Sequence, residues 1–379
     1  MTTLRVIVDQ IVSPTPGGIG RYAEELTRAL IDTAPAGCDV AGIISASPEP
    51  DYEHVQALLP GMSTLHKSAL ARRELSVAWQ YGLTGLPGKG MLHAPSLFAP
   101  MSRHDRMNDQ SSQTIVTIHD VVPWTHPETL TRHGVAWHKA MAKRAHRFAD
   151  AVVVVTHTVA AQLGEILDFG DRIRVIGGAV SAKMQTPADA DARAERLDLP
   201  ERYILSVGTL EPRKGITALI ESLASADDSG LPLLIVGPAG WGGVDVDSIA
   251  KSVGLAEGRV RAVGYLDDAD LSVALERATV FVFPSLAEGF GLPVIEAFHF
   301  GTPVVHSDAP ALVEVAAGAG VVVAINDLAS YPQRLATAIA SVVTDPALAE
   351  QLRFSGIDRA KAFSWTDSAL KVWQLHADL

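Results

Sequence analysis

The chain has 379 residues, of which 47% are hydrophobic and 20% charged, a composition typical of a folded globular protein long enough for two domains. No apolar run approaches ~18 residues, so we expect no membrane span, and the opening Met-Thr-Thr-Leu-Arg-Val-Ile-Val predicts a strand instead of a secretory signal. A single cysteine, Cys38, cannot form an internal disulfide, which favours a cytoplasmic location.

The formal net charge of −12 is unevenly distributed along the chain. Residues 1–180 contain 16 Lys and Arg against 17 Asp and Glu, whereas residues 181–379 contain 15 against 26. Ten of the 13 histidines also lie in the first half. So acidic a chain is not expected to bind nucleic acid, but its nearly neutral first half is compatible with an acidic partner or an anionic membrane surface.

Apolar, β-rich runs recur in both halves, and helix-like stretches separate most of them. The predicted strands are 4–12, 39–45, 91–96, 114–119, 151–156 and 172–176 in the first half, and 203–208, 232–237, 260–265, 280–285, 302–307 and 320–325 in the second. Alternating strands and helices indicate a parallel sheet covered on both faces. The repetition therefore predicts an α/β protein with two doubly wound, Rossmann-like domains, 1–180 and 181–364, whose carboxyl edges face a central cleft.

The stretch Phe283–Gly301, FPSLAEGFGLPVIEAFHFG, combines a strand end, a glycine-interrupted loop and a helix start. Glu288 lies in the loop, and Glu296 follows eight positions later in the predicted first turn of the helix. Flanking glycines allow positive φ and close approach of a ligand, and carboxylates accept hydrogen bonds from hydroxyls. The pattern predicts a site for a polyhydroxyl or anionic ligand, although a lone glutamate in such a place often only complements the helix dipole.

This spacing around Gly-Phe-Gly resembles the E-x7-E signature of the retaining GT-B glycosyltransferases of family four, also called glycosyl transferase group 1. The resemblance implies that Glu288 contacts the donor sugar and Glu296 the ribose of the nucleotide. It places the loop residues Gly289, Phe290, Gly291 and Leu292 at the donor. It also implies that the last helix, 365–379, returns to pack on the first domain, which binds the acceptor, while the second domain binds the nucleotide sugar.

The second domain opens with Gly208-Thr209-Leu-Glu-Pro-Arg213-Lys214-Gly215, which resembles the family's basic diphosphate clamp. Two cations at a strand-to-helix turn can neutralise a departing nucleoside diphosphate, although a solvated turn would show the same residues. Thr209 is assigned to the donor with them. By the same resemblance, the backbone at Tyr265 and Leu266 borders the nucleotide base.

The motif Asp268-x-Asp270 imitates a metal-binding DxD of another glycosyltransferase fold. Its place at the start of an apolar helical pattern favours helix capping instead. We therefore expect no metal site and no cofactor.

In the first half, a glycine-rich turn with Gly17 and Gly18 leads into a predicted helix, and Gly18-x-Gly20-x-x-Ala23 loosely matches a dinucleotide fingerprint. An extended proline-containing loop precedes the glycines, and the second strand ends in Ile44-Ser45 without a ribose-binding acid, which count against NAD. The resemblance instead implies that the amides of Gly17 and Gly18 lie beside the donor diphosphate.

A second element of the first half is His119-Asp120, at the carboxyl end of a predicted strand. A histidine in this position is often only hydrogen-bonded at a strand end. The resemblance implies a place for His119 near the transferred sugar, and the following Pro-Trp-Thr-His-Pro-Glu is similar to mannosyltransferase-like members. One segment departs from the family pattern: Gly177-Gly178-Ala-Val-Ser181 stands where Pro-Asn-Gly-Val-Asp is usual.

The segment Arg132 to Arg147 is a predicted basic helix with Trp137 and Met141 among its cations. Such a helix is either a solvated face or a peripheral contact with anionic lipid at the inner face of a membrane.

The sequence thus predicts a retaining, metal-independent transfer of a hexose, with mannose favoured, from a nucleotide diphosphate sugar to a glycan or lipid-linked acceptor. His119, Arg213, Lys214 and Glu288 are the predicted catalytic residues. Three alternatives stay open: a non-catalytic nucleotide-sugar-binding protein, a glycoside hydrolase using the two glutamates, and an NAD-dependent dehydrogenase.

Overall fold

A computed structural model describes residues 2–13, 17–86, 90–105, 112–240 and 242–379. Within these ranges the chain divides into two compact units. Unit 1 consists of residues 1–178 and 364–379, and unit 2 of residues 179–363. The proline-containing part of the glycine loop, 14–16, and Trp241 lie outside the described residues.

Unit 1 contains one seven-stranded sheet with helices on its connections. Its strands are β1 (Thr2–Ile7), β2 (Cys38–Ala46), β3 (Leu65–Ala71), β4 (Gly90–Ala94), β5 (Ser112–Ile118), β6 (Ala151–Val154) and β7 (Ile173–Val175). Its helices are α1 (Gly17–Asp32), α2 (Glu49–Leu58), α3 (Arg72–Tyr81), α4 (Val122–Thr125), α5 (Arg132–Phe148) and α6 (His157–Ile166). Short 3-10 turns cover Asp9–Val12, Pro127–Thr129 and Gly170–Arg172.

The strand order is β3-β2-β1-β4-β5-β6-β7, and every neighbouring pair is parallel. The sequence pattern missed β3 because Leu65-His-Lys-Ser-Ala-Leu-Ala lacks an apolar run, as an exposed edge strand permits. It also extended the first strand too far, since the 3-10 turn at Asp9–Val12 ends it after Ile7.

Unit 2 repeats the plan with a six-stranded parallel sheet in the order β10-β9-β8-β11-β12-β13. Its strands are β8 (Ile204–Val207), β9 (Leu233–Val236), β10 (Val260–Gly264), β11 (Val280–Phe283), β12 (Val304–Ser307) and β13 (Val321–Val323). Its helices are α7 (Ala190–Arg196), α8 (Ile216–Ser222), α9 (Val246–Ser252), α10 (Asp268–Arg277), α11 (Leu292–His299), α12 (Pro310–Ala316), α13 (Tyr331–Thr344) and α14 (Pro346–Ala360). A 3-10 turn covers Pro212–Lys214.

The core of unit 2 lies on both faces of its sheet, as the continuous apolar strands require. On β11, Phe281 and Phe283 stack at 6.0 Å between ring centroids and pack on one face, while Val280 and Val282 pack on the other. All four side chains are at most 1% exposed. This packing fixes the level at which the strand ends, and hence the position of the loop that follows it.

The final helix, α15 (Trp365–Asp378), belongs to unit 1 although it comes last in the sequence. It packs on α1, where the Trp373 indole donates to the Leu30 carbonyl at 3.2 Å and the Trp365 ring meets Tyr22 at 5.4 Å. Ser368 Oγ donates to the carbonyl of Gly177 at 2.8 Å, so the helix also holds the end of the first segment of unit 1.

Candidate active site

The main cluster of predicted site residues lies where the strand order of unit 2 reverses. In its sheet β8 is hydrogen-bonded to β9 on one side and to β11 on the other, with Ile204 opposite Val280. The connections leaving β8 and β11 therefore depart in opposite directions, and the gap between them at the carboxyl edge is the usual ligand position in doubly wound sheets. The basic turn, Pro212–Lys214, and the loop that carries Glu288 both begin there.

The basic turn after β8 is held against the end of β11 by a backbone contact. Gly215 has φ +68°, and a Cβ added there would meet the Pro284 carbonyl oxygen at 2.2 Å. The Leu286 amide donates to the Arg213 carbonyl at 2.8 Å. Only glycine permits both this φ and this approach, so Gly215 sets the position of the preceding Lys214.

Four charged side chains meet at this position. Lys214 Nζ lies 2.6 Å from Glu288 Oε1, and Arg213 Nη1 lies 3.3 Å from Glu288 Oε2. Glu211 accepts from the other end of the Arg213 guanidinium at 2.7 Å, and the Ala287 carbonyl accepts from Nη1 at 2.6 Å. The four charged side chains are between 10% and 14% exposed, so the cluster is partly desolvated but within reach of a ligand.

Glu288 is ionised in this setting. Burial of its carboxylate acts to raise the pKa, but Lys214 and Arg213 outweigh that effect and lower the pKa to about 2. The aliphatic part of the Lys214 side chain passes over Gly208, where an added Cβ would lie 3.5 Å from Lys214 Cδ. Lys214 Nζ also lies 5.2 Å from the centroid of the Phe283 ring. The site thus pairs two fixed cations with a fixed carboxylate.

The loop after Glu288 leads into α11 and has positive φ at one of the two glycines that flank Phe290. Gly291 caps the helix with φ +97°, and a Cβ there would meet Leu312 at 2.5 Å. Gly289, the other flanking glycine, does not adopt positive φ. The Phe290 ring packs edge-on against Phe363, with 5.6 Å between the ring centroids, and it stays partly exposed. Leu292 is the first residue of the helix.

Glu296 is the fifth residue of α11, so it begins the second turn, one position beyond the predicted first turn. Its side chain is 2% exposed. Its assignment to a nucleotide ribose stays a prediction.

The other predicted donor residues of unit 2 lie on neighbouring strand ends. Thr209 follows β8, and its methyl group lies 2.8 Å from where a Cβ on Gly240 would stand. Tyr265 and Leu266 follow β10; Leu266 is 8% exposed and packs into the core, whereas the Tyr265 ring is 75% exposed. Tyr265 therefore offers an aromatic surface as well as the backbone predicted to border the base.

In unit 1, Gly17 and Gly18 begin α1, with Gly17 at φ +55°. His119 follows β5, and its Nε2 donates to the Pro95 carbonyl at 2.7 Å while its ring meets Tyr22 at 4.8 Å. Burial lowers the pKa of His119 by more than the Pro95 carbonyl and Asp120 raise it, so the ring is neutral with Nδ1 as an acceptor. Its predicted role at the sugar is not tested by these contacts.

The Asp268-x-Asp270 motif lies in the first turn of α10, and the residue that caps the helix is the preceding Asp267, so the prediction that the motif itself is the cap was wrong by one residue. Asp267 caps α10 by accepting from the Asp270 amide, and the Asp270 carboxylate lies 2.6 Å from Arg193 and 2.6 Å from Arg196. In the described part of the chain, no group of three or more His, Cys, Asp and Glu side chains is placed to hold a metal ion.

Sequence reasoning missed one member of the charge cluster. Glu211 lies within the predicted clamp motif but was given no role of its own, and it binds the guanidinium of Arg213. Its place two residues before Arg213, directly before the 3-10 turn that Pro212 opens, was the available signal.

Comparison with known proteins identifies the family and the fold of the chain. Residues 16–183 match the model of Glycosyltransferase Family 4, and residues 188–359 match that of Glycosyl transferases group 1. O-antigen chain mannosyltransferase B of Escherichia coli is 30% identical over 285 residues, covering 72% of this chain and 70% of that protein. Serotype-specific mannosyltransferase WbdA of Escherichia coli is 29% identical over 270 residues, covering 68% of this chain and 32% of that longer protein.

The solved structure of HepE from Anabaena in complex with UDP and glucose superposes with a TM-score of 0.73. The superposition covers 100% of this chain and 100% of the HepE chain at 18% sequence identity, and it shows that the two chains share a fold.

Two Rossmann-like parallel-sheet units, with these relatives, define a glycosyltransferase of the GT-B fold. The chain belongs to glycosyltransferase family 4, group 1, so the predicted fold class, family and enzyme class are confirmed. The dehydrogenase, hydrolase and non-catalytic alternatives are set aside accordingly.

Proposed function

We propose that this glycosyltransferase moves mannose, with retention of configuration and without a metal, from a nucleotide diphosphate sugar to a hydroxyl of a glycan or lipid-linked acceptor. The observation that carries the proposal is the pair of fixed cations, Arg213 and Lys214, at the strand-order reversal of unit 2. Similarity to an O-antigen chain mannosyltransferase supports the sugar and the glycan acceptor. The HepE structure supports a nucleoside diphosphate as the leaving group.

In this reaction the main contribution of the protein is electrostatic stabilisation of the leaving group. The bond between C1 of the sugar and the β-phosphate oxygen breaks, and a bond from C1 to the acceptor oxygen forms on the same face. The acceptor proton passes to the departing phosphate oxygen. Negative charge develops on that phosphate, and Lys214 and Arg213 stabilise it in a partly desolvated site where such interactions are strong. Glu288 accepts hydrogen bonds from the sugar hydroxyls, and Glu296 from the ribose.

A transfer assay with a panel of GDP, UDP, dTDP and ADP sugars tests the donor, and the anomeric configuration of the product tests retention. Lys214→Ala should lower kcat/KM by about 10²- to 10³-fold, as expected when one preorganised cation is removed. Lys251→Ala is the matched control, because Lys251 is exposed on α9. Near wild-type kcat/KM in Lys214→Ala, or loss of activity in EDTA with rescue by Mn²⁺, would contradict the proposal.

A second part of the proposal is peripheral contact with an anionic membrane through α5. Arg132, Lys143 and Arg147 are exposed, which supports it. Two predicted contributors are occupied elsewhere: Arg144 donates to the Met101 carbonyl, and the Trp137 side chain packs on the core of unit 1. The cationic surface is therefore smaller than the sequence predicted. No helix among the described residues is long and apolar enough to cross a membrane.

A further inference from the structure

Carboxylates of the chain itself neutralise the two clamp cations, Lys214 and Arg213. Lys214 and Arg213 share the carboxylate of Glu288, at 2.6 and 3.3 Å, and Arg213 also binds Glu211 at 2.7 Å. Two cations thus face two carboxylates within one partly desolvated cluster. A diphosphate that enters this cluster meets cations whose charge is already neutralised.

The two carboxylates differ in what they hold. Glu211 contacts only Arg213 among the clamp cations, and it lies in the same turn, two residues away. Glu288 comes from the loop after β11, 74 positions from Lys214, and bridges both cations. Glu288 is therefore the carboxylate whose displacement would release Lys214 and one end of Arg213 together.

We propose that Glu288 is the internal counter-anion of Lys214 and Arg213, which an incoming diphosphate displaces and which the hexose of the intact donor then compensates with its hydroxyls. This inference rests on the proposed function, in which the clamp binds the diphosphate. A free nucleoside diphosphate displaces Glu288 but brings no sugar hydroxyls to satisfy it. The intact donor brings both, so its binding leaves no buried carboxylate without partners.

The consequence is discrimination between donor and product. After transfer the sugar has left, and Glu288 regains its attraction to the two cations in competition with the product diphosphate. Because a charged group left buried without partners is costly, this competition weakens product binding selectively. The same carboxylate thus contributes to donor affinity and to product release.

The test uses the isosteric variant Glu288→Gln, which keeps the side-chain shape and removes the charge. Calorimetry with inorganic pyrophosphate, GDP and UDP should show binding about tenfold tighter than in the wild type, as expected for removing a charge-assisted competitor. Product inhibition in the transfer assay should become stronger by a similar factor. Glu276→Gln changes the net charge equally at an exposed position near the carboxyl end of α10, and should leave pyrophosphate affinity within about twofold.

Lys214→Ala separates this inference from the proposed function. If Lys214→Ala weakens pyrophosphate binding but Glu288→Gln leaves it unchanged or weakens it, the counter-anion role is wrong and the clamp stands. If Lys214→Ala binds pyrophosphate as the wild type does, the clamp itself is wrong. If Glu288→Gln does not fold, Glu288→Ala serves the same comparison, and it too must bind pyrophosphate more tightly than the wild type.

Discussion

Acidification should destabilise unit 1 through two histidines buried between α15 and the sheet. His93 on β4 is 0% exposed and His376 on α15 is 3% exposed, with 6.1 Å between their ring centroids. The neutral His376 ring donates from Nδ1 to Gln113 Oε1 at 2.9 Å. Within the described residues, neither nitrogen of His93 nor Nε2 of His376 has a hydrogen-bond partner. A proton added to either ring would enter a site without an acceptor.

The pKa of each ring is lowered to about 3, by burial for His93 and by burial together with the neighbouring His93 for His376. In the unfolded chain each ring titrates near 6.5. Between these values only the unfolded chain binds the protons, so stability falls as the pH falls below about 6.5. In this range each histidine lowers the free energy of unfolding by about 1.4 kcal/mol per pH unit. At pH 5 the loss is about 2 kcal/mol for one histidine and about 4 kcal/mol for the pair.

Urea unfolding followed by tryptophan fluorescence at pH 7 and pH 5 measures this loss, because five of the six tryptophans lie in unit 1. His93→Leu should reduce the pH dependence of the free energy of unfolding by about 1.4 kcal/mol per pH unit. His54→Gln removes an exposed histidine from α2 and should leave it unchanged. An unaltered pH dependence in His93→Leu would refute the reasoning, since it would mean that this ring does not carry the burial cost.

Two further predictions concern the backbone of the clamp and the surface of unit 1. Gly215→Ala should destabilise unit 2 by about 1–3 kcal/mol in urea unfolding and lower transfer activity, because its Cβ meets the Pro284 oxygen. Gly230→Ala has a similar φ, +76°, but open space, and a loss as large there would show that φ alone is responsible. Wild-type protein should co-sediment with anionic vesicles at low salt, because each cation near the surface contributes about 1 kcal/mol of binding free energy. Binding should be lost at 1 M salt, which screens this attraction, and in the double variant Lys139→Glu, Lys143→Glu. Failure to bind at low salt would make α5 a solvated face.

Much of the site was readable from the sequence because its parts are local. The glycine at 215, the two cations before it and the Glu288 loop each occupy a short strand-to-helix connection, and parallel sheets place such connections at one edge. Of the 13 strands in the described part of the chain, twelve were likewise visible as apolar runs. The exception, β3, is an edge strand whose exposed side chains need not be apolar.

What the sequence determined by itself was therefore the repeated strand and helix pattern, the family, and the identity of the charged residues that lie at the strand-order reversal of unit 2. Tertiary structure decided their partners. Lys214 and Glu288 are 74 positions apart, and they meet only because β8 and β11 are neighbours in a sheet whose strand order no local pattern specifies. The same holds for Arg144, a predicted surface cation that the fold uses to bind a carbonyl. Pairing energies depend on distance and burial, and both arise only when distant segments pack.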